Sequence, residues 1–184
     1  MNVFTGMQNI VYCLLYLPFL TNAQDKIEKF SPAGYGFTVL VPGKMEYGLK
    51  HVLTDLGEIK TTTYLYKGED IDPDPVLIIN ITDYPDGVLE ADSISLMEDF
   101  FSTSLESIRE KLVGETIYYA DISNLYSPGK IYKIHYNHGQ AMVKGKMFVS
   151  NDKFYSVQAF SSFTKSNAKE IDTFLDSFEL LMAE

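Results

Sequence analysis

Asp70, Asp72 and Asp74 fall at every second position, with Glu69 beside them and Asp83 and Asp86 beyond the next apolar run. Oxygen-rich clusters of this kind suit calcium. The spacing is not that of an EF-hand. Counted from Asp70, the sixth position is Pro75 where glycine is needed, and the twelfth is Ile81 where glutamate is needed. Pro73 and Pro75 also stiffen the segment away from a wrapping geometry. The favoured reading is a solvated acidic hairpin that guards a sheet edge. Calcium stays open as the one cofactor the residues suggest, and no other is expected.

Lys133, His135, Lys144 and Lys146 form the second constellation. A hairpin joining their two segments puts all four on one face. Like charges directly opposite are mildly unfavourable, so an acidic chain that keeps them has a use for them. They can bind a small anion, or pair with helix carboxylates such as Glu106 or Glu110, which is the favoured reading. His135 and His138 are three apart across a strand end and point to opposite faces, so they chelate poorly together. His51 is distant in sequence and free to approach either. The chain also holds 13 Tyr, 12 Phe and no Trp. Tyr118, Tyr119, Tyr132, Tyr136 and Tyr155 can line a carbohydrate or apolar-ligand surface, although tyrosine equally fills the edge of a strand-built core.

No G-x-S-x-G, G-x-G-x-x-G, P-loop or H-E-x-x-H occurs. Paired carboxylates for glycoside hydrolysis remain open, because 25 acidic residues offer no way to choose two.

The elements that position these residues follow from periodicity. Gly36–Val41 reads as a strand stopped by Pro42-Gly43. His51–Leu53 reads as a short strand. Gly57–Lys67 alternates, with Ile59, Thr61, Thr63 and Leu65 on one side and Lys60, Thr62, Tyr64 and Tyr66 on the other. Gly68–Pro75 reads as an acidic loop, and Val76–Tyr84 as the most apolar and therefore central strand. From Asp92 to Leu112 the period changes: Ile94, Met97, Phe101, Leu105, Ile108 and Leu112 make one helical stripe. Asp92 or Ser93 can cap it, Ser95 and Glu98 have capping-box spacing, and Gly114 ends it. A meander follows: Glu115–Ile122, Ile131–Asn137, Gln140–Ser150 and Phe154–Phe160, with His138-Gly139 as one tight turn. Its register pairs Tyr136 with Ala141, Ile134 with Val143, and Tyr132 with Gly145. Asn167–Asp176 reads as a second helix capped by Asn167, and Ser177–Met182 as a strand closing the sheet. Gln24–Pro32 reads as a polar lead-in. Short turns between consecutive strands require a largely antiparallel sheet, and helices against it make an α+β domain.

Ordinary composition, 46% hydrophobic and 22% charged over 184 residues, excludes disordered, collagen-like and disulfide-framework proteins. A net charge of −10 argues against nucleic acid as a partner. None of the 15 basic and 25 acidic side chains precedes Gln24. Ile10–Leu20 is apolar but too short to span a bilayer as a helix. Thr21-Asn22-Ala23 supplies small residues at a signal-peptidase site. Residues 1–23 therefore read as a signal peptide starting at Met1 or Met7, and 24–184 as one domain. No Lys or Arg precedes the apolar run, which departs from the usual signal. The sole cysteine, Cys13, would be removed. The mature chain would then hold no thiol nucleophile, cysteine-bound zinc or disulfide. No transmembrane span is expected in it, and a periplasmic or secreted location follows.

Three segments carry a resemblance: GYGFTVLVPGKM (Gly34–Met45), the DYPDG turn (Asp83–Gly87) before a long helix, and the run from Gly129 through KMFVSNDKFYSV (Lys146–Val157) to FLDSFELL (Phe174–Leu181). Together they resemble exported bacterial proteins of uncharacterised function that share the PsbP-like α/β/α sandwich. That superfamily includes the extrinsic photosystem II subunit and a Ran-binding nuclear import protein. The resemblance implies a sandwich fold and a binding or assembly role. The expected partner is an unknown envelope protein, or a small anion at the lysine patch. It carries over no functional residue. The expectation is an exported, non-enzymatic binding or assembly protein. A small hydrolase using carboxylates or a lone histidine, and a calcium-dependent envelope protein, are the alternatives.

Overall fold

The structure is a computed structural model. It describes residues 27–55, 57–69, 72–89, 93–122 and 127–181, with backbone alone at 69 and 72–74. Ten strands and two α-helices follow one another as β1 (Glu28–Phe30), β2 (Phe37–Val41), β3 (Glu46–Thr54), β4 (Gly57–Glu69), β5 (Asp72–Asp83), α1 (Ile94–Leu112), β6 (Glu115–Asp121), β7 (Gly129–Tyr136), β8 (Ala141–Ser150), β9 (Lys153–Ser162), α2 (Lys169–Asp176) and β10 (Glu179–Leu180). Seven strands form one antiparallel sheet in the order β3-β4-β5-β9-β8-β7-β6, and β1-β2-β10 form a small second sheet.

Alternation along the strands puts a different core on each face of the large sheet. On one face Leu77, Ile79, Ile81 and Val157 pack with Phe37 and Val39 of β2 and with Ile171 and Phe174 of α2. On the other, Tyr132, Ile134, Val143 and Met147 pack with Met97, Phe101 and Leu105 of α1. Each fully buried large apolar side chain contributes about 1.5–3 kcal/mol. The chain is thus a three-layer α+β sandwich whose α2 layer also holds the small sheet.

The β7–β8 register is Tyr136 opposite Ala141, Ile134 opposite Val143 and Tyr132 opposite Gly145, as the alternation requires. Its turn is longer than His138-Gly139. Asn137, His138 and Gly139 all have positive φ, and Gln140 N–H donates to the Asn137 carbonyl.

Several expectations need correction. The lead-in contains β1, which pairs with β2. The last strand pairs with β2 rather than closing the large sheet. β3 runs nine residues rather than three, because a full ladder to β4 holds it. The acidic loop is mostly strand, with Glu69 opposite Asp72. β5 is third of the seven strands and β9 is central. Ser93 is the N-cap of α1 and Ala168 that of α2, and neither side chain caps. Asp92 and residues 1–26 lie outside the described residues.

At the end of α1 the left-handed residue is Val113 (φ 49°), not Gly114. Gly114 answers a different need. A Cβ there would sit 2.6 Å from Ile134 Cγ2 and 2.8 Å from the His135 carbonyl.

Candidate functional site

A groove of about 580 Å³ runs between the flank of α1 and strands β4, β5 and β9. Its floor is polar: Thr61, Asn80, Thr82, Ser156 and Gln158. These residues share a face because Thr61 pairs with Thr82, Thr63 with Asn80, and Asn80 with Ser156. The helix wall adds Thr103, Ser104, Ser107 and Lys111. Tyr84, Phe100, Phe154 and Phe160 supply the aromatic surface. Phe100 meets Tyr84 edge-on at 5.9 Å and Phe154 at 5.0 Å, which fixes their rings relative to one another. Burial pushes the Tyr84 phenol up from its ordinary value, so it stays neutral.

Hydrogen bonds hold the floor. The Thr63 hydroxyl donates to Asn80 Oδ1 at 2.7 Å, and the Thr61 and Thr82 hydroxyls meet at 3.2 Å. Gln158 Nε2 donates to the Tyr132 hydroxyl at 2.7 Å. Burial pushes the Tyr132 phenol up to about 12, against the opposing pull of its hydrogen bonds to Gln158 and Ser156. The groove therefore presents neutral hydroxyls, amides and rings, with the Lys111 ammonium as its cation among the described lining residues. Such a surface offers hydrogen-bonding groups and apolar rings beside one another, the chemistry suited to an uncharged polar ligand with an apolar side.

The structure brings Lys133, Lys144 and Lys146 together on the α2 face, around a second hollow of about 260 Å³. Glu106 and Glu110 do not reach them, because α1 lies on the opposite face and Glu106 pairs with Arg109. The carboxylates come from α2 instead. Lys144 Nζ lies 3.1 Å from Asp172, and Lys146 Nζ lies 3.1 Å from Asp176 and 2.9 Å from the Leu175 carbonyl. His135 meets the Phe163 ring edge-on at 5.6 Å, and its Nε2 is buried without a hydrogen-bond partner. His51 is on β3 at the far side of the sheet, where Nδ1 lies 2.7 Å from Glu58. The three histidines thus do not converge. Asp70 lies outside the described residues, as do the side chains of Asp72 and Asp74. Among the described residues no group of three His, Cys, Asp or Glu side chains is placed to hold a metal ion. Of the five tyrosines, Tyr132 and Tyr155 are core residues and Tyr118 is exposed.

Sequence reasoning missed the groove floor. The available signal was polar residues inside apolar strands: Asn80 and Thr82 in VLIINITDY, and Gln158 in FYSVQAF. It also missed Lys130. That ammonium is buried beside Met97 and Phe101, bonded to Glu98 of α1, 2.8 Å from Asp121 of β6 and 5.1 Å from the Tyr119 ring. Burial pulls its pKa down, and the bonds to Asp121 and Glu98 more than offset this, for a net rise.

The layers and connections define an α+β sandwich, and one solved structure that it matches specifies which one. The solution structure of cyanobacterial PsbP (CyanoP) from Synechocystis sp. PCC 6803 superposes with a TM-score of 0.56. The match covers 84% of this chain and 92% of that one at 12% identity. The Ran-binding protein Mog1p of Saccharomyces cerevisiae gives a TM-score of 0.46 over 84% of this chain and 95% of that one, at 10% identity. The chain has a PsbP-like fold. At these identities the likeness concerns the fold alone. No protein-family model and no curated protein matches the sequence. No helix among the described residues is long and apolar enough to cross a membrane.

Proposed function

We propose that the chain is an exported, non-enzymatic binding protein of the periplasm or extracellular space, and that its ligand occupies the groove beside α1. The observation that carries this reading is the groove itself, with its volume, polar floor and aromatic surface. About 580 Å³ is room enough for a small molecule lying in an open groove. The described lining residues offer no carboxylate or imidazole for acid–base work, which favours binding over hydrolysis. Export is supported by the uncharged apolar leader and its Thr21-Asn22-Ala23 site. The ligand is neutral rather than anionic, because Asp172 and Asp176 already neutralise two of the three lysines on the other face.

Native mass spectrometry of the protein recovered from its host's envelope fraction tests this. The expected species begins at Gln24 and carries a small mass. Ser107→Trp fills the groove and removes that mass. A wild-type chain recovered bare, or a mass retained by Ser107→Trp, overturns the assignment. A chain that keeps Met1 or Met7 overturns export.

A further inference from the structure

Two side-chain amides line the groove floor, the buried Gln158 and the partly buried Asn80, and each has hydrogen-bonding capacity beyond the bond already described. Gln158 is 7% exposed, and Asn80 is partly buried at the open side of the floor. The Gln158 amide nitrogen is committed to Tyr132, so its Oε1 remains as an acceptor. Asn80 Oδ1 is committed to Thr63, so its Nδ2 remains as a donor. Asn80 lies opposite Ser156 on β9, two residues before Gln158, so the pair sits diagonally on adjacent strands of one face.

The partners of these amides are themselves held. Gly145 lets the Tyr132 ring cross its backbone to reach Gln158, because a Cβ there would lie 2.5 Å from the phenol oxygen. Tyr132 thus orients the Gln158 amide, and Thr63 orients that of Asn80. The result is a donor and an acceptor fixed side by side, below the rings of Tyr84, Phe100 and Phe154.

We infer that the groove selects ligands that carry an amide group next to an apolar or aromatic moiety, such as a short acylated peptide or an N-acylated small molecule. The Asn80 Nδ2–H donates to the ligand carbonyl, and the ligand N–H donates to Gln158 Oε1. The apolar moiety lies against the Phe100 and Phe154 rings. An ester ligand has no donor and leaves Gln158 Oε1 unpaired, and a saccharide, whose hydroxyls can both donate and accept, lacks the aromatic moiety that lies against Phe100 and Phe154. Sites built to pair a polar group reject analogues that lack it. This inference rests on the groove reading and adds the chemistry of the ligand to it.

Nuclear magnetic resonance of the nitrogen-15-labelled protein tests it. The Asn80 and Gln158 side-chain amide signals are read against three probes: N-acetyl-L-phenylalaninamide, ethyl 3-phenylpropanoate and maltotriose. The amide probe is expected to move both signals while the other two leave them in place. Asn80→Asp and Gln158→Glu keep the shape and should each weaken the amide probe about tenfold. If the ester or the saccharide moves the groove signals as strongly as the amide, amide selection is wrong while the groove stands as a site. If no probe moves them up to its solubility limit, the inference falls. The adduct seen by native mass spectrometry then decides separately whether the groove binds anything.

Discussion

The Tyr132 ring lies against the backbone of Gly145, where a Cβ would come within 2.3 Å of its Cζ atom. The two residues are opposite one another on β7 and β8. The glycine lets the ring cross the ladder, and the ring puts its hydroxyl on Gln158 of β9. One missing side chain thereby links three strands through a single phenol.

Gly145→Ala forces this ring out of place. The expected cost is about 1–3 kcal/mol, as for an overpacked core. Tyr132→Phe keeps the ring and removes the hydroxyl, leaving the Gln158 amide nitrogen unpaired at a cost of about 1–3 kcal/mol. Urea unfolding of each variant measures both values. Unchanged midpoints would contradict the packing described.

Stability should fall in alkali. Burial pushes the phenols of Tyr132 and Tyr155 to about 12 in the folded chain, against 10.0 for an unperturbed tyrosine, with Asp83 adding to the rise at Tyr155. Between those values the unfolded chain has released protons that the folded chain retains. Unfolding therefore releases protons, and rising pH favours it. The contribution is whole below pH 10 and is lost as pH rises toward 12. Urea midpoints at pH 9 and pH 11 should differ less in Tyr132→Phe than in wild type. An equal difference in both would place the alkaline loss elsewhere.

Two neighbouring residues at the end of α1 should respond in opposite senses. Val113 holds φ 49° with its side chain 89% exposed, so Val113→Gly relieves backbone strain without losing packing. A gain of about 1 kcal/mol is expected. Gly114→Ala drives a methyl into Ile134 and the His135 carbonyl and should be destabilising. Thermal melts of the two variants decide this, and a loss at Val113→Gly would refute the cap assignment.

The lysine patch should acquire anion affinity only when its carboxylates are removed. At matched ionic strength, phosphate should stabilise the wild-type chain no more than chloride does. In Asp172→Asn/Asp176→Asn, Lys144 and Lys146 join Lys133 as cations without a carboxylate partner among the described residues, and phosphate should raise the melting temperature. The substitutions themselves should cost about 0–1 kcal/mol per exposed pair. Equal phosphate stabilisation of both proteins would mean that the wild-type patch already binds anions.

The parts of this fold that were legible in the sequence are those set by local alternation. Tyr132, Ile134 and Tyr136 face Gly145, Val143 and Ala141 because any other register divides the apolar set between faces. The α1 stripe of Met97, Phe101 and Leu105 is equally local. What depends on which layer a helix joins was not legible. Nothing in the spacing of Lys144 and Lys146 says that Asp172 and Asp176 of α2, rather than Glu106 and Glu110 of α1, will meet them. β1 is too short and polar to be read as a strand, and pairing to β2 makes it one. The floor of the groove joins Asn80 and Gln158, which lie on either side of α1 in the chain and become neighbours only when β5 and β9 pair.

That pairing also orders the assembly of the molecule. β3, β4 and β5 are successive hairpins, and so are β6, β7, β8 and β9. Each ribbon can zip from its turns with short loops to close. The seam between them, Asp83 against Lys153 through Val76 against Phe160, has no such turn and must wait for both ribbons. The groove floor is thus completed only when the two halves of the sheet meet, and a nascent chain cannot close the groove until β9 has been made.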